Sequence, residues 1–140
     1  MKENIELFSD GGSRGNPGPA ASAFVAEKNG KILFSESKYI GVQTNNVAEY
    51  FAVILALKWL KKYTDKNKMD EIIFYLDSLL ITNQLKGVYK IKNENLKKYY
   101  LLVRKLENQI TSKIIYKHIY RDKNKMADYL VNKCLDKISR

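Results

Sequence analysis

The chain has 140 residues, 45% of them hydrophobic, which suits a single folded domain and excludes a largely disordered chain. Lys and Arg number 25 against 15 Asp and Glu, so the net charge is +10, and such a basic domain is expected to attract nucleic acids. Lysines that only solvate the surface would give the same charge. No apolar run approaches the ~20 residues that a membrane span needs. We therefore expect one domain over residues 1–140, monomeric and without membrane contact.

The single cysteine, Cys134, excludes a disulfide within the chain. It lies in an apolar helical pattern and is expected to be a small core residue rather than a nucleophile. The N-terminal residues lack the apolar run of a secretion signal. Together these features favour a reducing, cytoplasmic setting.

The first third of the chain predicts three strands. A first strand ends at Asp10 and is followed by a loop rich in Gly and Pro over residues 11–19. Residues 21–27 and 31–39 predict two further strands joined at Asn29-Gly30, a dipeptide that suits a two-residue hairpin turn because both positions tolerate positive φ.

The rest of the chain predicts alternating helices and strands. Thr44-Asn45-Asn46 offers an N-cap for a long helix that ends near Lys61-Lys62. The later elements are a buried strand over 71–76 that delivers Asp77, a helix from the cap Ser78 to Lys86, a helix over 95–110, a strand over 113–120 and a helix over 123–139. A hairpin meander followed by such units predicts an α/β fold with a mixed sheet.

Four acids stand in apolar surroundings: Asp10, Glu49, Asp77 and Asp128. Burying a carboxylate is costly unless something compensates its charge. A divalent cation is one compensation, since Mg²⁺ prefers oxygen ligands, and two such ions about 4 Å apart can activate a water and stabilise the leaving oxygen of a phosphodiester. Taken singly, however, the aspartates also suit a turn, a helix cap or a solvated surface, and periodicity does not bring the four together.

Four ordered blocks of the sequence resemble type 1 ribonuclease H. The blocks are DGGSRGNPG at 10–18, TNNVAE at 44–49, LDS at 76–78 and HIYRDKNKMAD at 118–128. The resemblance implies a ribonuclease H-like five-stranded mixed sheet, an antiparallel meander plus parallel strands, flanked by helices. It also implies that Asp10, Glu49, Asp77 and Asp128 hold two Mg²⁺ ions, or Mn²⁺. The implied activity is hydrolysis of the RNA strand of RNA–DNA hybrids, leaving 5′-phosphate and 3′-hydroxyl ends.

The resemblance further implies roles for polar residues beside the acids. His118 matches a mobile-loop histidine thought to assist proton transfer or product release, although it also suits an ordinary strand end. The implied substrate-binding residues are Gly12, Ser13, Asn16, Thr44, Asn45 and Asn46. Asn amides both donate and accept hydrogen bonds, which suits minor-groove edges and the 2′-hydroxyl that distinguishes RNA. The same residues also suit turns and caps.

Two departures from the family pattern concern substrate binding. Residues 84–95 are too short for the basic, Trp-rich insertion of some members, which predicts the subgroup that lacks this handle. Nearby lysines could meet phosphates or only solvate the surface: Lys86, Lys90, Lys92, Lys97 and Lys98. Leu79 stands where the family often has Gln, so one groove contact is expected to be missing. The alternatives for function are a non-catalytic hybrid-binding module and a same-fold nuclease acting on double-stranded RNA or branched DNA.

Overall fold

The computed structural model describes residues 2–139. Its strands are β1 (Asn4–Ser13), β2 (Gly18–Lys28), β3 (Lys31–Gln43), β4 (Glu71–Leu76) and β5 (Lys113–His118). Its helices are α1 (Asn45–Lys66), α2 (Leu79–Leu85), α3 (Glu94–Glu107) and α4 (Lys125–Ile138), with a 3-10 turn over Arg121–Lys123. The sheet order is β3-β2-β1-β4-β5, antiparallel from β3 to β1 and parallel from β1 to β5. The predicted five-stranded mixed sheet is confirmed.

Helices pack on both faces of the sheet because side chains alternate along each strand. On one face, the main core joins α1, α2 and α3 to alternate residues of the strands, such as Leu7, Phe24 and Phe74. On the other face, Val131 of α4 packs against Ala23 of β2. Ala23 is next to Phe24 in the strand, so its side chain points to the opposite face of the sheet. The small alanine side chains of β2 let α4 approach this face closely. Cys134 is half-buried against the same small cluster, in line with the expected packing role.

The β2–β3 hairpin turns at Asn29-Gly30, as the sequence predicts. The φ angles of these residues are 54° and 77°, which is the left-handed region that Asn and Gly tolerate best. Both strands continue further than their apolar patterns indicate, with pairing from Gly18↔Gln43 to Lys28↔Lys31. Backbone hydrogen bonding between β2 and β3 therefore extends beyond the residues whose apolar pattern predicted the two strands.

The first helix is longer than predicted and ends at Lys66 rather than near Lys61-Lys62. Tyr63 stacks on Trp59 with ring centroids 4.9 Å apart, which gives the extra turn an aromatic contact. The backbone N–H of Asn67 then donates to the Tyr63 carbonyl at 2.8 Å and closes the helix. Aromatic packing therefore outweighs the lysine pair in setting this end.

Other ends differ by a few residues. β5 ends at His118, two residues earlier than predicted, and α4 begins at Lys125 after the 3-10 turn. Between α2 and α3, residues 86–93 contain no helix or strand, in agreement with the predicted short connection. Within residues 2–139, no helix is long and apolar enough to cross a bilayer.

Candidate active site

Asp10 and Asp77 lie side by side because the parallel ladder between β1 and β4 stops just before both of them. The parallel ladder between β1 and β4 finishes at the pair Ser9↔Leu76, and both aspartates follow directly. The prediction that β1 ends at Asp10 is wrong. β1 continues to Ser13 because its last residues still pair with β2, from Asp10↔Ala23 onward. Asp10 therefore sits at the point where β1 loses its neighbour on one side, which opens a cleft.

Gly11 brings Glu49 to the same place. A Cβ atom at Gly11 would lie 2.2 Å from the backbone carbonyl of Ala48, so only glycine permits this approach of β1 to α1. The Gly11 N–H donates to Glu49 Oε1 at 3.1 Å. On the next strand, the Ser22 hydroxyl donates to the Ala48 carbonyl at 2.6 Å. The second turn of α1 is thus held against the sheet with Glu49 beside Asp10.

The three carboxylates Asp10, Glu49 and Asp77 can each offer an oxygen so that all three atoms lie within 4.8 Å of one another. Asp10 and Glu49 are buried, and Asp77 is half-buried. Burial raises the pKa of Asp10 to about 7, and the charge of Asp77 adds to the effect. Burial, together with the charge of Asp10, also raises the pKa of Glu49 well above its ordinary value. Like charges crowded in this way need a proton or a cation.

The donor set fits a divalent cation. Glu49 Oε2 is buried and has no hydrogen-bond partner among residues 2–139, so one hard oxygen is available beside two aspartates. Oxygen-only ligands of this kind are those that Mg²⁺ and Mn²⁺ bind. A cation would therefore satisfy an unpaired buried oxygen and offset the repulsion among the carboxylates.

Asp128 lies in the first turn of α4 and lines the same cleft, but it is not part of the 4.8 Å group. Its side chain is half-buried, and its Oδ1 accepts a hydrogen bond from Asn132 Nδ2 at 3.3 Å. Its negative charge contributes to the raised pKa of Asp10. The structure thus brings three predicted acids together and sets the fourth at the side of the same cleft.

The cleft has a volume of about 410 Å³, and most of the predicted substrate residues belong to it. Of these, the residues that line it are Gly12, Ser13, Asn45 and Asn46. Asn16 lies next to the lining, since its Oδ1 accepts from the Asn45 N–H at 3.0 Å. Thr44 caps α1, as its hydroxyl oxygen accepts from the Val47 N–H at 3.2 Å.

Asn45 ties the glycine-rich segment to α1. Its Oδ1 accepts from the Ser13 N–H at 2.8 Å and from the Ser13 hydroxyl at 3.2 Å. The amide NH₂ groups of Asn16 and Asn45 donate no hydrogen bond within residues 2–139. Asn16 and Asn45 can therefore have both a structural role and the implied substrate role. Their side-chain oxygens accept hydrogen bonds that fix the local fold, and their NH₂ groups remain available to donate to a substrate.

His118 stands at the end of β5, next to the carboxylates but outside the cleft lining. Its Nε2 lies 3.2 Å from the backbone carbonyl of Asp77, and Tyr120 packs edge-on against its ring. The imidazole thus contacts the backbone of Asp77, one of the three clustered acids. His118 is the last residue of β5 and pairs with Leu76, so it lies in a strand rather than in a loop, and its imidazole makes no hydrogen bond to the carboxylates within residues 2–139.

Asn124 is a site residue that the sequence reasoning missed. Its Nδ2 donates to Asp77 Oδ2 and to the Ser9 carbonyl, both at 2.9 Å, so it connects α4 to β1 and β4. Although it occupies the N-cap position of α4, its side chain makes no capping bond. An N-cap bond is worth about 1 kcal/mol, and this residue uses its side chain to orient Asp77 instead. Its partners are remote in sequence, so no local pattern indicates them.

Two arginines of the cleft were also missed. Arg121 lines the cleft, is exposed, and forms no ion pair with any residue from 2 to 139. Arg14 lines the cleft too, but it is paired with Asp136 at 2.6 Å. Both lie inside the sequence blocks that carry the resemblance, yet only the fold shows that they line the same cleft as the acids.

A mixed sheet in this strand order, with acids clustered where the parallel ladder between β1 and β4 stops, defines a ribonuclease H-like fold with a candidate metal site. A family model described as Reverse transcriptase-like matches residues 8–134. The bifunctional protein Rv2228c of Mycobacterium tuberculosis is 39% identical over 97% of this chain, which spans only 36% of that protein. The ribonuclease H of Buchnera aphidicola is 30% identical, with 93% of this chain and 89% of that enzyme covered.

Solved structures agree with these relatives. The crystal structure of LC11-RNase H1 in complex with an RNA/DNA hybrid has a TM-score of 0.93 and 41% identity, covering 97% of this chain and 99% of that one. The chain belongs to the ribonuclease H family, in its type 1 branch.

Proposed function

We propose that this chain is an endoribonuclease that hydrolyses the RNA strand of RNA–DNA hybrids with two divalent cations, normally Mg²⁺, and leaves 5′-phosphate and 3′-hydroxyl ends. The observation that carries the proposal is the group of three carboxylates within 4.8 Å at the centre of a type 1 ribonuclease H fold. A relative of 41% identity, LC11-RNase H1, was solved with an RNA/DNA hybrid. We further propose that residues 1–140 act as one catalytic domain, whatever longer protein they belong to.

Each acid has a part in this mechanism. Asp10, Glu49 and Asp77 would hold the cations from the floor of the cleft, and Asp128 from its side. Divalent cations in such a site supply activation of a water and stabilisation of the leaving oxygen of a phosphodiester. The Gly11 N–H keeps Glu49 in place, and Asn124 keeps Asp77 in place, so the carboxylates are oriented before a substrate arrives.

The polar rim would recognise the hybrid. The NH₂ groups of Asn16 and Asn45 are donors for minor-groove acceptors and for 2′-hydroxyls of the RNA strand. Gly12, Ser13, Thr44 and Asn46 complete the proposed rim. His118, beside Asp77, would assist proton transfer or product release.

The proposal is tested by incubating the purified protein with end-labelled RNA–DNA hybrid, double-stranded RNA, duplex DNA and branched DNA, each with Mg²⁺, Mn²⁺ or EDTA. We expect cleavage of the RNA strand of the hybrid alone, 5′-phosphate products, and no cleavage with EDTA. Binding of the hybrid without cleavage under either metal would instead support a binding module. Preferred cleavage of double-stranded RNA or branched DNA would point to another nuclease of the same fold.

Leu79 offers a test of substrate affinity. Its side chain is 53% exposed at the start of α2, two residues after Asp77, so a Gln there has room to reach the substrate. One added hydrogen bond is worth about 1 kcal/mol, so we expect Leu79→Gln to lower KM about fivefold at unchanged kcat. Leu80→Gln, an equally small change on an exposed neighbour, serves as the control. An unchanged KM and cleavage pattern for Leu79→Gln would reject this account.

Arg121 is expected to contact a backbone phosphate of the substrate. Two arginines line the cleft, and Arg14 is paired with Asp136. The guanidinium of Arg121 forms neither a hydrogen bond nor an ion pair with any residue from 2 to 139. We expect Arg121→Gln to raise KM about tenfold and to reduce the slope of log KM against log salt by about one, as loss of one phosphate contact does. Lys68→Gln, in the exposed turn between α1 and β4, should change neither value. A salt slope equal to that of the wild type would show that Arg121 meets no phosphate.

A further inference from the structure

The segment between β1 and β2, residues 14–17, is attached to the far end of the last helix through Arg14. Arg14 Nη2 donates to Asp136 Oδ1 at 2.6 Å and lies 3.3 Å from the Asn132 carbonyl. Its Nη1 lies 3.5 Å from the Ser139 hydroxyl. All three partners belong to the C-terminal turns of α4 or follow them directly. The side chain of one residue thus joins two segments that lie more than a hundred positions apart.

The backbone around Arg14 is itself fixed. Its N–H donates to the Pro19 carbonyl at 2.8 Å across the loop. A Cβ atom at Gly18 would lie 2.1 Å from the Arg14 carbonyl oxygen, so the two sides of the loop touch. Ser13 on one side and Asn16 on the other are both bonded to Asn45. A movement of Arg14 would therefore be passed to the residues on either side of it.

Arg14 also lines the cleft, so a direct contact with a substrate phosphate is the competing role. Its pairing argues against that role, because Asp136 Oδ1 accepts a hydrogen bond from the guanidinium at 2.6 Å and offsets part of its charge. Arg121, in the same cleft, has no such partner among the described residues and remains available for an anion. Arg14 is thus placed to connect two parts of the protein, whereas Arg121 is placed to bind an anion.

We propose that Arg14 and Asp136 form a clamp that positions residues 14–17, together with the neighbouring Ser13, against α4, the helix that carries Asp128. The inference rests on the proposed function, since its consequence is on hybrid binding. Arg14 and Asp136 are positioning residues and touch no reacting atom. The clamp makes the proposed minor-groove donors and the cation-binding acid parts of one rigid arrangement, so that the hybrid meets a preformed surface.

The clamp has limited influence on global stability. The side chains of Arg14 and Asp136 are 40% and 63% exposed, and exposed ion pairs contribute little to folding. The chain offers a matched control in Lys61 and Asp65, whose ion pair is also 2.6 Å long, with exposures of 38% and 56%. That pair lies within α1 near its C-terminal end, and among residues 2–139 it forms no hydrogen bond with residues 14–17.

The test is a double-mutant cycle on hybrid cleavage with Arg14→Met, Asp136→Ala and the two combined, beside Lys61→Met. We expect each single change to raise KM about fivefold with kcat within twofold of the wild type, because the pair positions binding residues and touches no reacting atom. The combined variant should be no worse than either single variant, because the same contact is lost. Melting temperatures should stay close to that of the wild type, and Lys61→Met should be unchanged throughout.

Asp136→Ala decides between the two roles of Arg14. If Arg14 binds phosphate directly, removing Asp136 frees its charge, so KM would fall or stay constant while Arg14→Met raises KM and lowers the salt slope by about one. That result would overturn the clamp. Equal losses of melting temperature with unchanged KM would overturn it too, in favour of a purely structural pair. Failure of the proposed function is distinct, since the wild type and Lys61→Met would then not cleave the hybrid.

Discussion

Asp10→Asn is expected to lower kcat for hybrid cleavage by about 10³-fold or more, because a catalytic cation supplies several kcal/mol of transition-state stabilisation. Asn keeps the size of the side chain and one of its oxygens but removes the charge that a divalent cation needs. Asp10 is one of three carboxylates whose oxygens lie within 4.8 Å of one another, so a cation held by this group would lose a charged ligand. The fold should survive, since the β1–β2 ladder around Asp10 is made by the backbone.

The measurement is single-turnover cleavage of a labelled hybrid over a range of Mg²⁺ concentrations. Asp122→Asn is the matched control, the same chemical change on an exposed acid of the neighbouring 3-10 turn, and it should keep wild-type activity. His118→Ala should have a milder effect, about 10²-fold, as expected for a group that assists proton transfer. Full activity of Asp10→Asn would show that the assigned carboxylates are not the metal site.

The same substitution is expected to stabilise the metal-free protein. The pKa of Asp10 is raised to about 7 in the folded state, mainly by burial, from its ordinary value of 3.8. The folded state therefore binds a proton more tightly than the unfolded state does, and stability falls as the pH rises between these two values. Ionising Asp10 therefore costs the folded state free energy that the unfolded state does not lose. Asn at this position avoids that loss.

Thermal unfolding in EDTA at pH 8 and at pH 4 tests the expectation. Asp10→Asn should melt several degrees above the wild type at pH 8, and the difference should shrink towards zero at pH 4, where Asp10 holds its proton. Adding Mg²⁺ at pH 8 should raise the melting temperature of the wild type more than that of the variant, since cation binding to the folded state is what offsets the repulsion. A variant less stable than the wild type at pH 8 would contradict the repulsion account.

Lower activity together with higher metal-free stability for Asp10→Asn would show that Asp10 favours catalysis at the expense of stability. The buried carboxylates of the metal-free protein raise the free energy of the fold, and the same crowding gives the site its affinity for cations. Glu49 shows the relation most directly, because its buried Oε2 has no partner in the part of the chain that the structure describes. The cleft is thus arranged for a ligand rather than for the stability of the free protein.

Local chemistry in the sequence determined much of this protein. The apolar run before Asp77, the Asn29-Gly30 turn and the caps Thr44 and Ser78 act over a few residues, so their spacing is sufficient to predict elements. The ordered blocks predicted the family and the four acids. Element ends were less well predicted, as for α1, because a stacking contact between Trp59 and Tyr63 sets its last turn.

Only the tertiary structure decided how the site is held together. Gly11 faces the backbone of Ala48, Asn124 bonds to Asp77, and Arg14 pairs with Asp136, all between segments far apart in the chain. Such contacts depend on sheet order and helix placement, which no local pattern encodes. The sequence by itself determined which residues carry the chemistry, because each motif spans only a few consecutive residues and can be recognised without the fold. Their distances, burial and raised pKa values came from packing, because those quantities depend on neighbours that folding alone brings near.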